Sequence, residues 1–303
     1  MLVDSLKEHI GYFFRDKTVR RIAAIYLIIY CLHRLLQTAT SWIYFPLPID
    51  QVELAFDSFE AIFTVVEAGF GFWIADNLLS PKEVERDYAK ILGLFMAFAS
   101  LVTLTALLQS FYTNWSIPVE EDLYLTQYIV IQIAFIYSAT KIMRKQIDTR
   151  LFIALALTAF MESFITVSYF FTSWGTIMLN FSQNSLQLLG ILGIVIYLIL
   201  GLVALIVAVE PKIGAKNTIA TLIKWTGVAI LMDGIVTSIA IIVHYVIRYQ
   251  NFIKIASSFS NSNFYYYYKY INPSLIAVQT ILTIVFAVMM VRYARRLPAN
   301  GFE

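Results

Sequence analysis

Charged residues are scarce in this sequence, and cysteine is nearly absent. Only 14% of the 303 residues are charged, whereas about a quarter are in an average soluble domain. The single cysteine, Cys31, excludes an intramolecular disulfide, a cysteine metal site and a CxxC redox motif. A net charge of +2 argues against nucleic acid as a partner. The remaining composition is apolar, with 59% hydrophobic residues and a mean hydropathy of +0.73, and it predicts an integral membrane protein.

The common motifs of catalytic and cofactor sites are missing as well. Of three histidines, the two in apolar segments, His33 and His244, lie at different depths, which disfavours a haem with paired histidine ligands. The sequence has no HExxH zinc motif, no Walker loop and no GxSxG nucleophile elbow. Gly69 and Gly71 fit a close-packing site in a helix better than a phosphate loop. No cofactor is indicated, and an enzyme is the less favoured class.

Eight apolar segments follow residue 21, each close to the roughly 20 residues that a helix needs to span a bilayer. All seven prolines lie between these segments or after them, where a residue that interrupts helices is expected. The pattern predicts an all-α bundle of eight transmembrane helices, segments 1 to 8, at 22–44, 53–76, 89–112, 123–143, 151–172, 186–209, 219–246 and 274–294.

The residues before segment 1 have a different pattern. Within 1–21, apolar side chains fall on one side of a helix and charged ones elsewhere, which predicts an amphipathic helix on the cytoplasmic membrane surface. This stretch mixes both charge signs, and the apolar run after it is too long for a cleavable signal peptide. Residues 22–303 are expected to form a single transmembrane domain.

Basic residues set the expected orientation. Seventeen lysines and arginines lie in 1–21, in the even-numbered connections and after the midpoint of segment 8, whereas three lie in the odd-numbered connections. The excess of basic residues marks the cytoplasmic side, so both termini are predicted to be cytoplasmic in a cell membrane. The longest external loop, 247–273, contains a run of tyrosines that suits the headgroup region of the bilayer or a protein partner.

The odd-numbered segments share a weak sequence pattern. Met161-Glu162-Ser163 and Met232-Asp233-Gly234 begin similar seven-residue stretches in segments 5 and 7, and weaker counterparts occur in segments 1 and 3. Their spacing of 63 to 71 residues corresponds to one helical hairpin. Four duplicated hairpins would explain it, although short matches in an apolar alphabet also arise by chance.

Segment 2 carries the most unusual chemistry. Positions 53, 57, 60, 64 and 67 share one face of a helix, and they include Glu60 and Glu67 near the middle of the span. A carboxylate at that depth is costly unless it is paired, protonated or hydrated, so it is a candidate functional residue. The acidic face is therefore expected to point into the bundle.

Other ionisable groups lie at a similar depth in other segments. Glu162 is central in segment 5 and Asp233 in segment 7, while Arg34 and His33 are in the middle of segment 1. The predicted proton- or cation-binding residues are the four acids Glu60, Glu67, Glu162 and Asp233, with Arg34 and His33 as the counter-charge. Because arginine stays charged, Arg34 is expected to pair directly with Glu60 or Glu67 on the adjacent segment.

These residues favour a proton- or cation-linked transporter or channel, or the membrane subunit of a larger translocating complex. A membrane-embedded enzyme acting on a lipid or isoprenoid is the second interpretation. It is weakened because such sites usually lie near the interface and because no aspartate-rich metal cluster is present. A structural anchor or scaffold, in which the buried charges only hold helices together, is the third.

Overall fold

Every described element of the protein is a helix. The computed structural model describes residues 13–44, 50–80, 88–113, 119–146, 148–177, 181–209, 220–235, 238 and 271–296. The helices, in chain order, are α1 Lys17–Tyr44, α2 Gln51–Leu79, α3 Tyr88–Thr113, α4 Val119–Met143, α5 Thr149–Ile177, α6 Phe181–Val209, α7 220–235 and α8 Asn272–Arg296.

Seven of the predicted segments coincide with helices to within about five residues at each end, and α7 covers the described part of segment 7. The first helix begins at Lys17, so the last five residues of the predicted surface segment belong to α1. Residues 1–12 and the external loop up to Tyr270 lie outside the described residues, as does the rest of segment 7 apart from Ser238. The surface helix and the partner loop therefore stay predictions.

Aspartates fix the start of three helices. Asp16, Asp50 and Asp148 each accept a hydrogen bond from the backbone N–H two residues later, at 2.7, 3.1 and 3.1 Å. A carboxylate in this position satisfies a free N–H of the first turn and interacts favourably with the helix dipole. Each helix therefore starts a few residues before its apolar run.

The connection between α4 and α5 is a tight turn. Lys145 has a left-handed backbone with φ of 56°, and the next N–H bonds back to the carbonyl of Lys141 at 2.9 Å. This is the hydrogen-bond pattern of a Schellman cap, which ends a helix. Lys141 Nζ also contacts Asp148 Oδ2 at 2.9 Å, so an ion pair closes the turn.

The helices pack in the order of the chain. Each helix from α1 to α5 contacts the next helix in the chain, and α8 contacts α1. Helix α7 joins a core with α5 and α6 that includes Phe152, Leu200, Leu222 and several alanines. A Cβ added at Gly227 of α7 would lie 3.0 Å from the side chain of Val291, so α7 also meets α8. The described helices thus form a closed circuit in which α8 returns beside α1.

Small residues bring the first three helices close together. A Cβ at Gly71 would lie 2.3 Å from Cys31 Sγ on α1 and 3.0 Å from the ring of Phe95 on α3. This confirms the close-packing role at Gly71 but not at Gly69, where a Cβ would have no neighbour within 4 Å. The glycine lets α1 pack directly against the inner face of α2.

Large apolar side chains cover much of the outside. Phe59, Ile62 and Val65 on α2 are 54 to 60% exposed, and α6 exposes Val195, Leu198 and Leu202 in the same way. Among the described residues, four helices are long and apolar enough to cross a membrane: Lys17–Thr40, Gln51–Leu79, Ala89–Tyr112 and Asn272–Arg296. Exposed apolar helix faces of this length match the hydrocarbon core of a bilayer. The count of eight spans, the side on which the termini lie and the hairpin repeat remain predictions.

Candidate functional site

The inner face of α2 carries its polar residues. Thr64 and Glu67 are 0% and 1% exposed, and Ala68, Gly71 and Ala75 continue the same face toward the end of the helix. The apolar residues Phe59, Ile62 and Val65 point outward. The structure therefore confirms that the acidic face of segment 2 points into the bundle.

Glu67 receives a hydrogen bond from the neighbouring helix. The hydroxyl of Tyr30 on α1 donates to Glu67 Oε1 at 2.7 Å. The second carboxyl oxygen, Oε2, is buried and has no partner among the described residues. A buried carboxyl oxygen without a partner loses its hydration without replacement, so this position is energetically costly and points to a functional role.

Arg34 lies within electrostatic range of both Glu60 and Glu67. No ion pair joins it to either acid, although the structure describes all three residues. Its Nε is buried and has no hydrogen-bond partner in the described part of the chain. The prediction of a direct pair between Arg34 and one of the two glutamates is therefore wrong. Arg34 instead places one positive charge near two carboxyls at once, because it lies on the helix that faces them both.

Glu60 and Asp57 occupy the outer part of the same face. Both are partly exposed, and Asp57 Oδ1 accepts a hydrogen bond from Gln109 Nε2 on α3 at 2.8 Å. Seven residues of helix separate Glu60 from Glu67, or about 10 Å along the axis. The carboxyls along α2 thus run from partly exposed at Asp57 to fully buried at Glu67.

His33 faces a different helix from its neighbour Arg34. Its Nε2 lies 2.6 Å from Asn272 Oδ1 and its Nδ1 lies 3.3 Å from Gln279 Oε1, both on α8. Both ring nitrogens are therefore engaged by amide oxygens of α8, and the role of His33 as a counter-charge to the acids stays a prediction. These contacts fasten α8 to α1.

A second polar group lies on α5, α6 and α7. The hydroxyl of Tyr197 on α6 donates to Asp233 Oδ2 on α7 at 2.5 Å. Glu162 on α5 is within electrostatic range of Asp233 and of Tyr197. Asp233 is exposed at the surface of the described structure and Glu162 is partly buried. This α5–α7 group of Glu162, Tyr197 and Asp233 is distinct from the α1–α2 group of Tyr30, Arg34, Glu60, Thr64 and Glu67.

The two groups contain residues that the sequence reasoning missed. Tyr30 and Tyr197 each donate to a predicted acid, and Asn272 and Gln279 hold His33. A signal for Tyr30 exists in the sequence, since it lies one turn before Arg34 and so shares a helix face with it. No comparable signal marks Tyr197, because its partner is 36 residues away on another helix.

Within the described residues, no group of three or more histidine, cysteine, aspartate or glutamate side chains could hold a metal ion. The chemistry available is that of carboxyls, tyrosine hydroxyls and a single guanidinium. These groups can bind and pass on protons, or supply a few oxygen ligands to a cation.

The fold and this site define a class: an all-helical protein whose described part has four helices long and apolar enough to cross a membrane, with an ionisable residue, Glu67, buried among its helices. Comparison with protein-family models, curated proteins and solved structures finds no match to the chain. Any function assigned to this protein therefore depends on the geometry of the α1–α2 and α5–α7 groups.

Proposed function

We propose that this protein moves protons or cations across a bilayer, as a transporter or channel or as the membrane subunit of a larger translocating complex. The observation that carries the proposal is the environment of Glu67. It is 1% exposed, one oxygen accepts the Tyr30 hydroxyl, and the other has no partner in the described chain. A purely structural acid would be expected to have both oxygens satisfied.

The neighbours of Glu67 support an exchange site. Arg34 compensates charge near Glu60 and Glu67 without locking either into an ion pair, so both remain able to change protonation. Glu60 is partly exposed, and Glu67 lies about two turns deeper. We assign Glu60 as the entry site and Glu67 as the buried site. Glu162 and Asp233 form a second titrating pair.

The proposed topology is eight transmembrane spans with both termini in the cytoplasm. The proposed location is the cell membrane. The seventeen-to-three split of basic residues supports this topology, and so does the match of the helices to the apolar segments. A reporter fused after Glu303 should act as cytoplasmic. Labelling of that reporter from outside intact cells would reject the topology.

Transport is tested with purified full-length protein in lipid vesicles. A membrane potential is imposed, and a pH-sensitive dye inside the vesicles reports proton entry, with sodium and potassium uptake measured in parallel at equal pH. The parent should carry one of these ions, and Glu67→Gln should reduce the flux by about a hundredfold while its thermal stability stays near that of the parent. Thr280→Val on α8 is the control, since that hydroxyl already bonds its own helix at Ile276. A parent without any ion flux would reject the proposal and favour an anchor.

A further inference from the structure

Three buried polar atoms in the α1–α2 group lack a partner among the described residues: Thr64 Oγ1, Glu67 Oε2 and Arg34 Nε. Thr64 is 0% exposed and lies one turn from Glu67 on the inner face of α2. Elsewhere in the described helices, the hydroxyls of Thr40, Thr105 and Thr280 bond the carbonyl four residues earlier. Thr64 does not, so its hydroxyl is available to a ligand.

Water is the ligand that these atoms fit. A guanidinium N–H donates, a carboxyl oxygen accepts, and a threonine hydroxyl does both. Buried waters typically make about three hydrogen bonds, to polar groups that are otherwise unsatisfied. One water could serve Thr64 Oγ1 and Glu67 Oε2, which lie one turn apart on the same face of α2.

The surrounding charges disfavour a metal cation or an anion in this place. From α1 the site is faced by Tyr30 and the permanent charge of Arg34, from α2 by Glu60 and Asp57, and from α3 by Gln109, which bonds Asp57. Arg34 repels a metal ion, and the described oxygens are too few to replace its hydration shell. Two carboxyls beside one arginine leave the group negative when ionised, which repels an anion.

We propose that the hydroxyl of Thr64 and an ordered water beside it connect Glu60 to Glu67, and that the species exchanged at this site is the proton. This inference rests on the proposed function and narrows it from protons or cations to protons. Thr64 is suited to the task because it lies four residues after Glu60 and three before Glu67 on one helix face.

The transfer balances without any further reactant. The Glu60 carboxyl is not bonded to Thr64 in the structure and must first turn toward it, one turn away on the same face. Protonated Glu60 then gives its proton to the Thr64 hydroxyl oxygen as that hydroxyl gives its own proton to the water. The water in turn gives one of its protons to Glu67 Oε2. Glu60 ends as a carboxylate and Glu67 as a carboxylic acid, while Thr64 and the water are unchanged. Tyr30 keeps its hydrogen bond to Oε1 throughout.

Thr64→Val tests the relay, because valine has nearly the same shape and lacks the hydroxyl. In the vesicle assay we expect proton flux to fall at least about tenfold, less than the roughly hundredfold expected on removing a positioned proton-transfer group itself. Thr64→Ser keeps a hydroxyl and should stay within about twofold of the parent. Thr105→Val on α3 is the matched control, since Thr105 is also buried in a helix but its hydroxyl bonds the carbonyl of Leu101.

The outcomes separate the two proposals. If the parent carries protons and the flux is equal in Thr64→Val and Thr105→Val, the relay is wrong and the proposed transport is still supported. If the parent carries sodium or potassium at equal pH and Thr64→Val removes that flux, the exchanged species is the metal ion and not the proton.

If the parent carries no ion, transport fails and the relay is judged by infrared spectroscopy. The carboxyl band lost in Glu67→Gln should shift in Thr64→Val and not in Thr105→Val. A band that stays unshifted overturns the site, because Thr64 would then not connect to Glu67.

Discussion

Glu67 and Asp233 both accept a hydrogen bond from a tyrosine on a neighbouring helix, yet they lie in opposite environments. Glu67 is buried between helices with Arg34 near it, whereas Asp233 is exposed and has a second acid, Glu162, as its neighbour. The tyrosine–carboxyl hydrogen bond therefore has a compensating positive charge near it in the α1–α2 group. In the α5–α7 group it has a second acid near it instead.

The difference shows how neighbouring charges affect the ionisation of a carboxyl. Two acids within electrostatic range of each other resist ionising together, because like charges repel. An acid near an arginine can stay ionised with less cost. The α1–α2 group is thus suited to exchange a proton against a fixed positive charge. The α5–α7 group has no such charge near its two acids among the interactions described.

The largest expected contrast is in transport. Glu67→Gln should reduce proton flux by about a hundredfold, the scale of losing a positioned proton-transfer group. Glu162→Gln should reduce it by less than about tenfold, because Asp233 remains and can still take up a proton. Flux in vesicles measures both. Equal losses would mean that the two groups act as one path.

The next contrast concerns Arg34. Arg34→Ala should destabilise the protein by about 1–3 kcal/mol, less than the roughly 3–5 kcal/mol of breaking a buried ion pair in direct contact. Double variants of Arg34→Ala with Glu60→Gln or Glu67→Gln should each recover part of the loss, while a double variant with Glu162→Gln should be additive. Thermal unfolding in detergent reports the effect. If only one of the two glutamate variants recovered stability in combination with Arg34→Ala, the result would favour a direct pair between Arg34 and that glutamate.

The two tyrosines provide a smaller contrast. Tyr30→Phe removes a hydrogen bond to a buried carboxyl and should cost about 1–3 kcal/mol. Tyr197→Phe removes one to Asp233, which is exposed at the surface of the described helices, and should cost about 1 kcal/mol or less. The midpoint of denaturation is compared for the two variants. An equal cost would indicate that Asp233 is covered in the membrane-embedded protein.

The smallest effect is expected outside both groups, at the α4–α5 turn. The hydrogen bond from Lys141 holds the pKa of Asp148 below its usual range, and the backbone N–H groups of Leu151 and Arg150 lower it further. A folded-state pKa below the unfolded value stabilises the protein above the unfolded pKa, and this contribution is lost as pH falls through the folded one.

The Asp148 side chain is 40% exposed, so solvent screens its ion pair and the acid-side loss should be slight. It should occur below the usual aspartate pKa of about 3.9. Asp148→Asn should remove that part of the pH dependence, as followed by unfolding temperature from pH 5 to 3. An unchanged acid-side slope would contradict the assignment to Asp148.

The elements of this protein were readable from its sequence because apolar length and basic residues act locally. A run of about 20 apolar residues forms a helix wherever backbone groups cannot reach water, so the described helices match the segments. The burial of Glu67 was equally predictable, since its face of α2 carries the acids and the opposite face carries Phe59 and Ile62. Cap residues such as Asp50 extend the helices beyond the apolar runs by a few residues.

The partners of those side chains were decided by the tertiary structure alone. Arg34 and His33 are adjacent in the sequence, yet the first is near the α2 acids and the second contacts Asn272 on α8. Successive residues on a helix point about 100° apart, so which neighbour each one meets depends on how the helices surround α1. The sequence showed which ionisable residues lie within apolar helices, because hydropathy and periodicity are local properties, but of the four predicted acids only Glu67 is fully buried and Asp233 is exposed. Only the packing of eight helices separated the acids into two groups, because contacts between helices depend on non-local geometry that no single segment encodes.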